Sequence, residues 1–203
     1  MRRLWTLITY VFFPGTMAVA GACFPYFPTK PFGPLVHWQQ YFWPSLLIYI
    51  VLPSAGVWLM IKIGWISDFH IVKRKERNVS YPLAIVPAAA LTLYYFFFRI
   101  WPGEKFPFLW SGSITLVLAL LWLINSLWIK ASAHMAGVGG FLSMIIALHF
   151  NPYTHFQAIW IGISMVVCAL VYMARLGLSA HSHKELWVGF GLGFLTTFAV
   201  LSL

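Results

Sequence analysis

Four acidic side chains and seven histidines are all that a 203-residue chain carries of the groups most used for acid, base and nucleophilic work. Two of them, His181 and Glu185, stand four residues apart in the run Arg175-Leu-Gly-Leu-Ser-Ala-His181-Ser-His-Lys-Glu185. On a helix entering the last apolar stretch, that spacing puts both on one face. The carboxylate then accepts the Nδ1 proton and leaves Nε2 free as a nucleophile or base. Arg175, six residues earlier, adds a planar cationic fork suited to phosphate. The plainer reading of the same residues is a polar helix cap at the membrane interface, with Arg175 snorkelling to head groups.

A second polar run, Lys130-Ala-Ser132-Ala-His134, precedes another apolar stretch. At a helix N-terminus the unpaired N–H groups and partial positive charge favour an oxyanion, so Ser132 and His134 stand where one would bind. An interfacial lysine, a serine N-cap and a satisfied histidine are the bland alternative. The third run, from Asp68 through Lys73, Arg74, Lys75, Glu76 and Arg77 to Pro82, is basic enough to serve only as an orienting loop and discriminates nothing by itself.

The elements that must position these runs are membrane helices. The chain is 61% hydrophobic and 8% charged, against about 25% charged residues in a soluble domain. A water-facing surface cannot be made from so few charges. Apolar stretches of about 18 residues or more read as spans, because about 20 helical residues cross the hydrocarbon core. The expected spans are Leu4–Phe24, Trp43–Trp65, Leu83–Trp101, Phe108–Ile129, Ala131–Phe150, Phe156–Met173 and Leu186–Leu203. They leave no room for a separate domain, so residues 1–203 form one integral, all-α bundle of about six or seven spans. Kinks are expected at Pro14, Pro53 and Pro87, and the Pro-rich connection 25–42 is not regular helix. Arg2 and Arg3 before an apolar run resemble a signal peptide, but Ala20-Gly21-Ala22-Cys23 is a poor cleavage site and the segment reads as an uncleaved first span.

With seven spans, the connections after the second, fourth and sixth open on one face, and these hold all three polar runs. The formal charge of +9 therefore points to anionic head groups and not to nucleic acid, since the 38 aromatic residues, 11 Trp, 9 Tyr and 18 Phe, lie within or beside the apolar runs as interfacial belts do. Cys23 and Cys168 read as packing residues. His183, two residues from His181, points to another helix face; His37, His149 and His155 fall in or beside the other loops. His149 and His155 are the basis of a haem or metal alternative, which would require ligands facing each other inside the bundle.

Taken together, the three runs resemble the signatures of the type-2 phosphatidic acid phosphatase superfamily: K-x6-R-P, P-S-G-H and S-R-x5-H-x3-D, each beside a membrane helix. Arg175, His181 and Glu185 reproduce the spacing of the third, with Ala174 for Ser and Glu for Asp. Ser132 and His134 match the second, with Ala131 and Ala133 for Pro and Gly. The first is degenerate: Arg77 matches the arginine, His70 stands where the lysine should, and Pro82 comes late, leaving Lys73 or Lys75 for the lysine's part. The resemblance covers about residues 68–185 as a catalytic core. It implies a metal-independent lipid phosphate phosphatase with no cofactor. His181 would be the nucleophile that becomes phosphohistidine, Glu185 its orienting partner and His134 the proton donor to the leaving oxygen. Arg175, Ser132, Arg77 and one of Lys73, Lys75 or Lys130 would bind the phosphate. The substrate class it implies is a lipid phosphomonoester or diphosphate of the phosphatidate, phosphatidylglycerophosphate, polyprenyl diphosphate or lipid A type. A bacterial inner membrane is the expected location, and Arg2 and Arg3 on the site's face argue for a cytoplasmic site, against the family's usual exterior placement. The alternative is a non-enzymatic lipid-binding or transport protein that has lost the first motif.

Overall fold

The structure, a computed structural model, describes residues 1–26, 38–68, 71, 74–98, 105–151 and 157–203. All its regular structure is helical: α1 (Arg2–Val11), α2 (Pro14–Cys23) with a closing 3₁₀ turn Phe24–Tyr26, α3 (Trp38–Leu46), a π-helical turn Leu47–Val51, α4 (Leu52–Lys62), α5 (Arg74–Phe97), α6 (Phe106–Leu127), α7 (Ala133–Phe150), α8 (Ile159–Gly177) and α9 (His183–Leu201). Among the described residues there is no strand.

Six helices are long and apolar enough to cross a membrane: the continuous run Trp38–Lys62, then α5, α6, α7, α8 and α9. The bent pair of α1 and α2, which turn 43° from one another, makes a seventh crossing if the two form one span. Pro14 explains the bend. It opens α2 at the first turn, where its missing N–H costs nothing, and its ring ends the helix before it. Pro44, Pro82 and Pro87 lie inside helices. Pro53 follows the π turn at the start of α4. The outside of the bundle is what water would reject, with Val86 67% and Leu195 68% exposed. The chain is an integral, multi-pass membrane protein.

Several boundaries differ from the expectation. The second span begins at Trp38 and not Trp43, so residues 38–42 of the connection expected to be non-helical are helical, residues 27–37 lying outside the described ones. The sixth runs on to Gly177 and takes Arg175 into its last turn. Two more bear on the site. The third span begins not at Leu83 but at Arg74, so Arg77 belongs to the first turn of α5 and not to a loop. The last span begins at His183, which leaves His181 just outside α9. Both shifts add a polar turn to an apolar helix. Hydropathy does not register such turns, because a backbone already hydrogen-bonded in the span continues them readily.

The bundle's tightest seam joins α7 and α9. A Cβ added to Gly189 would run into the Ser132 carbonyl, and one on Gly193 into that of Ala136; opposite them, a Cβ on Gly140 would meet Thr197 Oγ1 at 3.0 Å. Small residues four apart thus let two helix backbones touch, as is common in membranes. The seam matters for chemistry because it lays the start of α9 against the start of α7. Gly193→Ala is expected to lower stability by about 1–3 kcal/mol, since backbone atoms must move to admit the methyl group. Gly191→Ala, with nothing within 4 Å, should leave it unchanged. Melting of both variants in detergent checks this, and equal melting temperatures would remove the seam's importance.

The N-terminal segment is built into the bundle. Trp110 Nε1 donates to the Ala18 carbonyl at 3.0 Å, and a Cβ on Gly177 would lie 2.6 Å from Trp5 Nε1. Because Trp5 meets the last turn of α8, the exposed Arg2 and Arg3 lie at the end of the bundle where α8 stops and α7 and α9 start.

Candidate functional site

At that end, α9 begins with a reciprocal cap. The Ser182 hydroxyl accepts from the Glu185 N–H at 3.4 Å, and Glu185 Oε2 accepts from the Ser182 N–H at 3.0 Å. Two donors that would otherwise be orphaned are satisfied together. The same Oε2 lies 3.1 Å from His181 Nδ1. The pair therefore meets as expected, but through the geometry of the cap and not across a helix face. With the carboxylate accepting at Nδ1, the lone pair of His181 is on Nε2.

The His181 side chain is 2% exposed. Burial first, then the charges of Arg175, Arg77 and Lys130 and the neighbouring His134, hold its pKa well below the ordinary 6.5, at about 2. Glu185, accepting at Nδ1, fixes the tautomer. At neutral pH, His181 is thus an uncharged imidazole among cations, able to act as a nucleophile but not already protonated.

Ser132 is the N-cap of α7, its hydroxyl accepting from the Met135 N–H at 3.4 Å. Its own N–H donates to the Glu185 carbonyl at 3.1 Å. This bond pins the first turns of α7 and α9 together, so two helix N-termini face the same place, each with partial positive charge. Ser132 is fully buried, and its contacts make it a brace for that arrangement.

His134 follows in the first turn of α7. It is hydrogen-bonded to the backbone of Thr9 and meets the edge of the Phe13 ring at 5.8 Å between centroids. Its Nε2 is buried with no partner, and so is Nε of Arg175 on the last turn of α8. Buried polar atoms are seldom left this way unless a ligand or water completes them.

Arg77 reaches in from α5, with Nε donating to the Ile71 carbonyl at 3.1 Å, and is drawn electrostatically to Glu185. Lys130 Nζ donates to the Ala180 carbonyl at 3.2 Å. Burial, then Arg77 and Arg175, lower the Lys130 pKa against the pull of Glu185.

The three runs of the sequence thus converge: His181, Glu185, His134, Ser132, Arg175 and Arg77 form one cluster. Lys73 lies outside the described residues, as do His70, His37 and His155. Lys75 is exposed, whereas Lys130 acts directly on His181, which makes it the lysine of the described cluster. His183 is exposed and hydrogen-bonded through Nδ1 to the Tyr172 hydroxyl, away from the cluster. His149 ends α7 at the opposite face. Cys23 and Cys168 are buried and free. Among the described residues, no three His, Cys, Asp or Glu side chains are grouped to hold a metal ion.

Four neighbours of the site were not anticipated from the residues: Ser182, and Trp5, Thr9 and Phe13 of the first segment. The spacing Ser182-x-x-Glu185 is itself the signal of a capping box. For the first segment, no local signal exists, because its contacts with α7 and α8 bridge more than 100 positions of sequence. No family model, curated protein or solved structure matches the chain.

Proposed function

We propose that this protein is a membrane phosphatase that hydrolyses a lipid phosphomonoester or diphosphate through a phosphohistidine at His181. The observation that carries the reading is the neutral, buried imidazole of His181, oriented by Glu185 at 3.1 Å and surrounded by Arg77, Lys130 and Arg175. Phosphoryl transfer depends on position and on charge stabilisation for the equatorial oxygens, and three cations with two helix N-termini provide both.

In the first step, His181 Nε2 attacks phosphorus and the P–O bond to the lipid breaks. The leaving oxygen takes the Nε2 proton of His134, which must enter the step as imidazolium, so the lipid departs as an alcohol, or as a lipid phosphate when the substrate is a diphosphate. Glu185 holds the charge that develops on the His181 ring. In the second step, water loses a proton to His134 and attacks the phosphohistidine, and the P–N bond breaks to release inorganic phosphate. Both histidines return to their starting forms.

The lipid-facing aromatic spans suit an acyl or prenyl tail, and phosphatidate, phosphatidylglycerophosphate, polyprenyl diphosphate and lipid A phosphates all combine such a tail with this head. The family resemblance favours the type-2 phosphatidic acid phosphatase superfamily. We place the protein in a bacterial inner membrane with the site on the cytoplasmic side, because Arg2 and Arg3 share the site's end of the bundle and positive residues favour the cytoplasm.

The degenerate first motif supports a second reading, a non-enzymatic lipid-binding or transport protein. Purified protein in EDTA is expected to release phosphate from phosphatidate or farnesyl diphosphate, and release that survives EDTA would separate it from a metal-dependent phosphatase. Lipid binding without phosphate release from any of these substrates would establish the second reading instead.

A further inference from the structure

Threonines in helices usually turn their hydroxyl back onto the preceding turn. Here Thr6 donates to the Arg2 carbonyl at 3.0 Å, Thr92 to that of Ala88 at 2.9 Å and Thr115 to that of Ser111 at 2.9 Å. Thr9 does not: its Oγ1 is buried and has no partner. The Thr9 backbone is hydrogen-bonded to His134, which sets this residue of α1 beside the start of α7. One turn earlier on the same helix, Trp5 packs at Gly177, two residues beyond Arg175. Three unpartnered buried polar atoms, Thr9 Oγ1, His134 Nε2 and Arg175 Nε, therefore come from three different helices to one region.

Leaving three such atoms unpaired would cost stability with no return. A ligand that presents oxygens to all of them removes the cost. In an in-line displacement the nucleophile and the leaving oxygen are on opposite sides of phosphorus. With His181 as nucleophile and His134 at the leaving oxygen, a group beside His134 faces the alcohol half of the substrate. We propose that Thr9 is a substrate-binding residue, its hydroxyl pairing with an oxygen on the alcohol carbons next to the scissile ester, so that the site prefers glycerol- or sphingoid-type lipid phosphates over prenyl phosphates. The inference rests on the phosphatase reading and narrows its substrate class. A glycerolipid carries an ester or hydroxyl oxygen on the adjacent carbon, whereas a prenyl chain has only carbon there. A site built to pair with an oxygen discriminates strongly against a substrate that lacks it.

The test compares kcat/KM for dioleoyl phosphatidate and farnesyl monophosphate, which share one head group, in wild type, Thr9→Val and Thr9→Ser. Wild type should prefer phosphatidate. Thr9→Val keeps the shape and removes the hydroxyl, and should cut that preference by about fivefold to tenfold, the worth of one neutral hydrogen bond. Thr9→Ser should restore it, which a purely structural role for the side chain would not require. Melting in detergent identifies a variant that has lost its fold, and the serine variant keeps the comparison decisive if the valine variant has. A preference unchanged in Thr9→Val, or a wild type that favours farnesyl monophosphate, overturns the assignment of Thr9 and leaves the phosphatase reading intact. A wild type that releases phosphate from neither lipid overturns both.

Discussion

His181→Ala is expected to reduce phosphate release by roughly 10³-fold or more, the scale seen when a nucleophile is removed and only binding and background remain. Three features single this histidine out. Its side chain is almost completely buried and Glu185 accepts at its Nδ1, while Arg175, Arg77 and Lys130 act on it from three other parts of the chain. His183→Ala is the matched control, because His183 is exposed and spends its Nδ1 on Tyr172. It should keep most of the activity. If His181→Ala retained full turnover on phosphatidate while His183→Ala lost it, the assignment would be reversed.

The second large effect concerns Glu185, which has two duties that can be separated. Its carboxylate orients His181 and also closes the cap of α9 on Ser182. Glu185→Gln keeps an oxygen for the Ser182 N–H but removes the charge that favours the Nδ1–H tautomer and stabilises a positive imidazole. Changes of this kind cost about 10⁴-fold where a histidine is oriented by a carboxylate. The expected result is a fall in kcat of at least about 10²-fold with little change in melting temperature. Glu185→Ala should lose the same activity and, in addition, about 1 kcal/mol of stability from the broken cap. A Glu185→Gln variant with wild-type kcat would reduce this residue to a helix cap.

Hydropathy and spacing made most of the architecture legible. Apolar runs long enough to span a membrane, with almost no charge to clothe a surface, exclude other fold classes, and alternation of the connections placed three polar runs at one end. Those readings depend on quantities local in sequence. His181 and Glu185 were legible for the same reason, although the mechanism that joins them was not. A four-residue spacing fits both a shared helix face and a capping box, and only the start of α9 at His183 decides between them.

What remained hidden depends on long-range contact. Gly189 and Gly193 carry no chemical signal of their own, yet they allow α9 to touch Ser132 and Ala136, and so bring two helix N-termini together. Lys130 was one of several candidate lysines, and it is set apart only by the loop that carries it to Ala180. Thr9 is a lone polar residue in an apolar run until the packing of α1 along α8 brings it to His134 at the start of α7. The degenerate first motif is instructive in the same way. Arg77 arrives at the cluster although its expected lysine spacing is absent, because the helix that carries it, and not the local pattern, sets its position.

The most direct measurement is to trap the covalent intermediate. Purified protein is mixed in EDTA with phosphatidate labelled with ³²P in its phosphate, quenched in base within the first turnover, and digested for peptide mapping. The expected result is label on a single peptide containing His181, stable to base, released by mild acid, and absent from His181→Ala. Steady phosphate release with no labelled peptide, or label that maps to a different residue, would contradict the phospho-His181 mechanism.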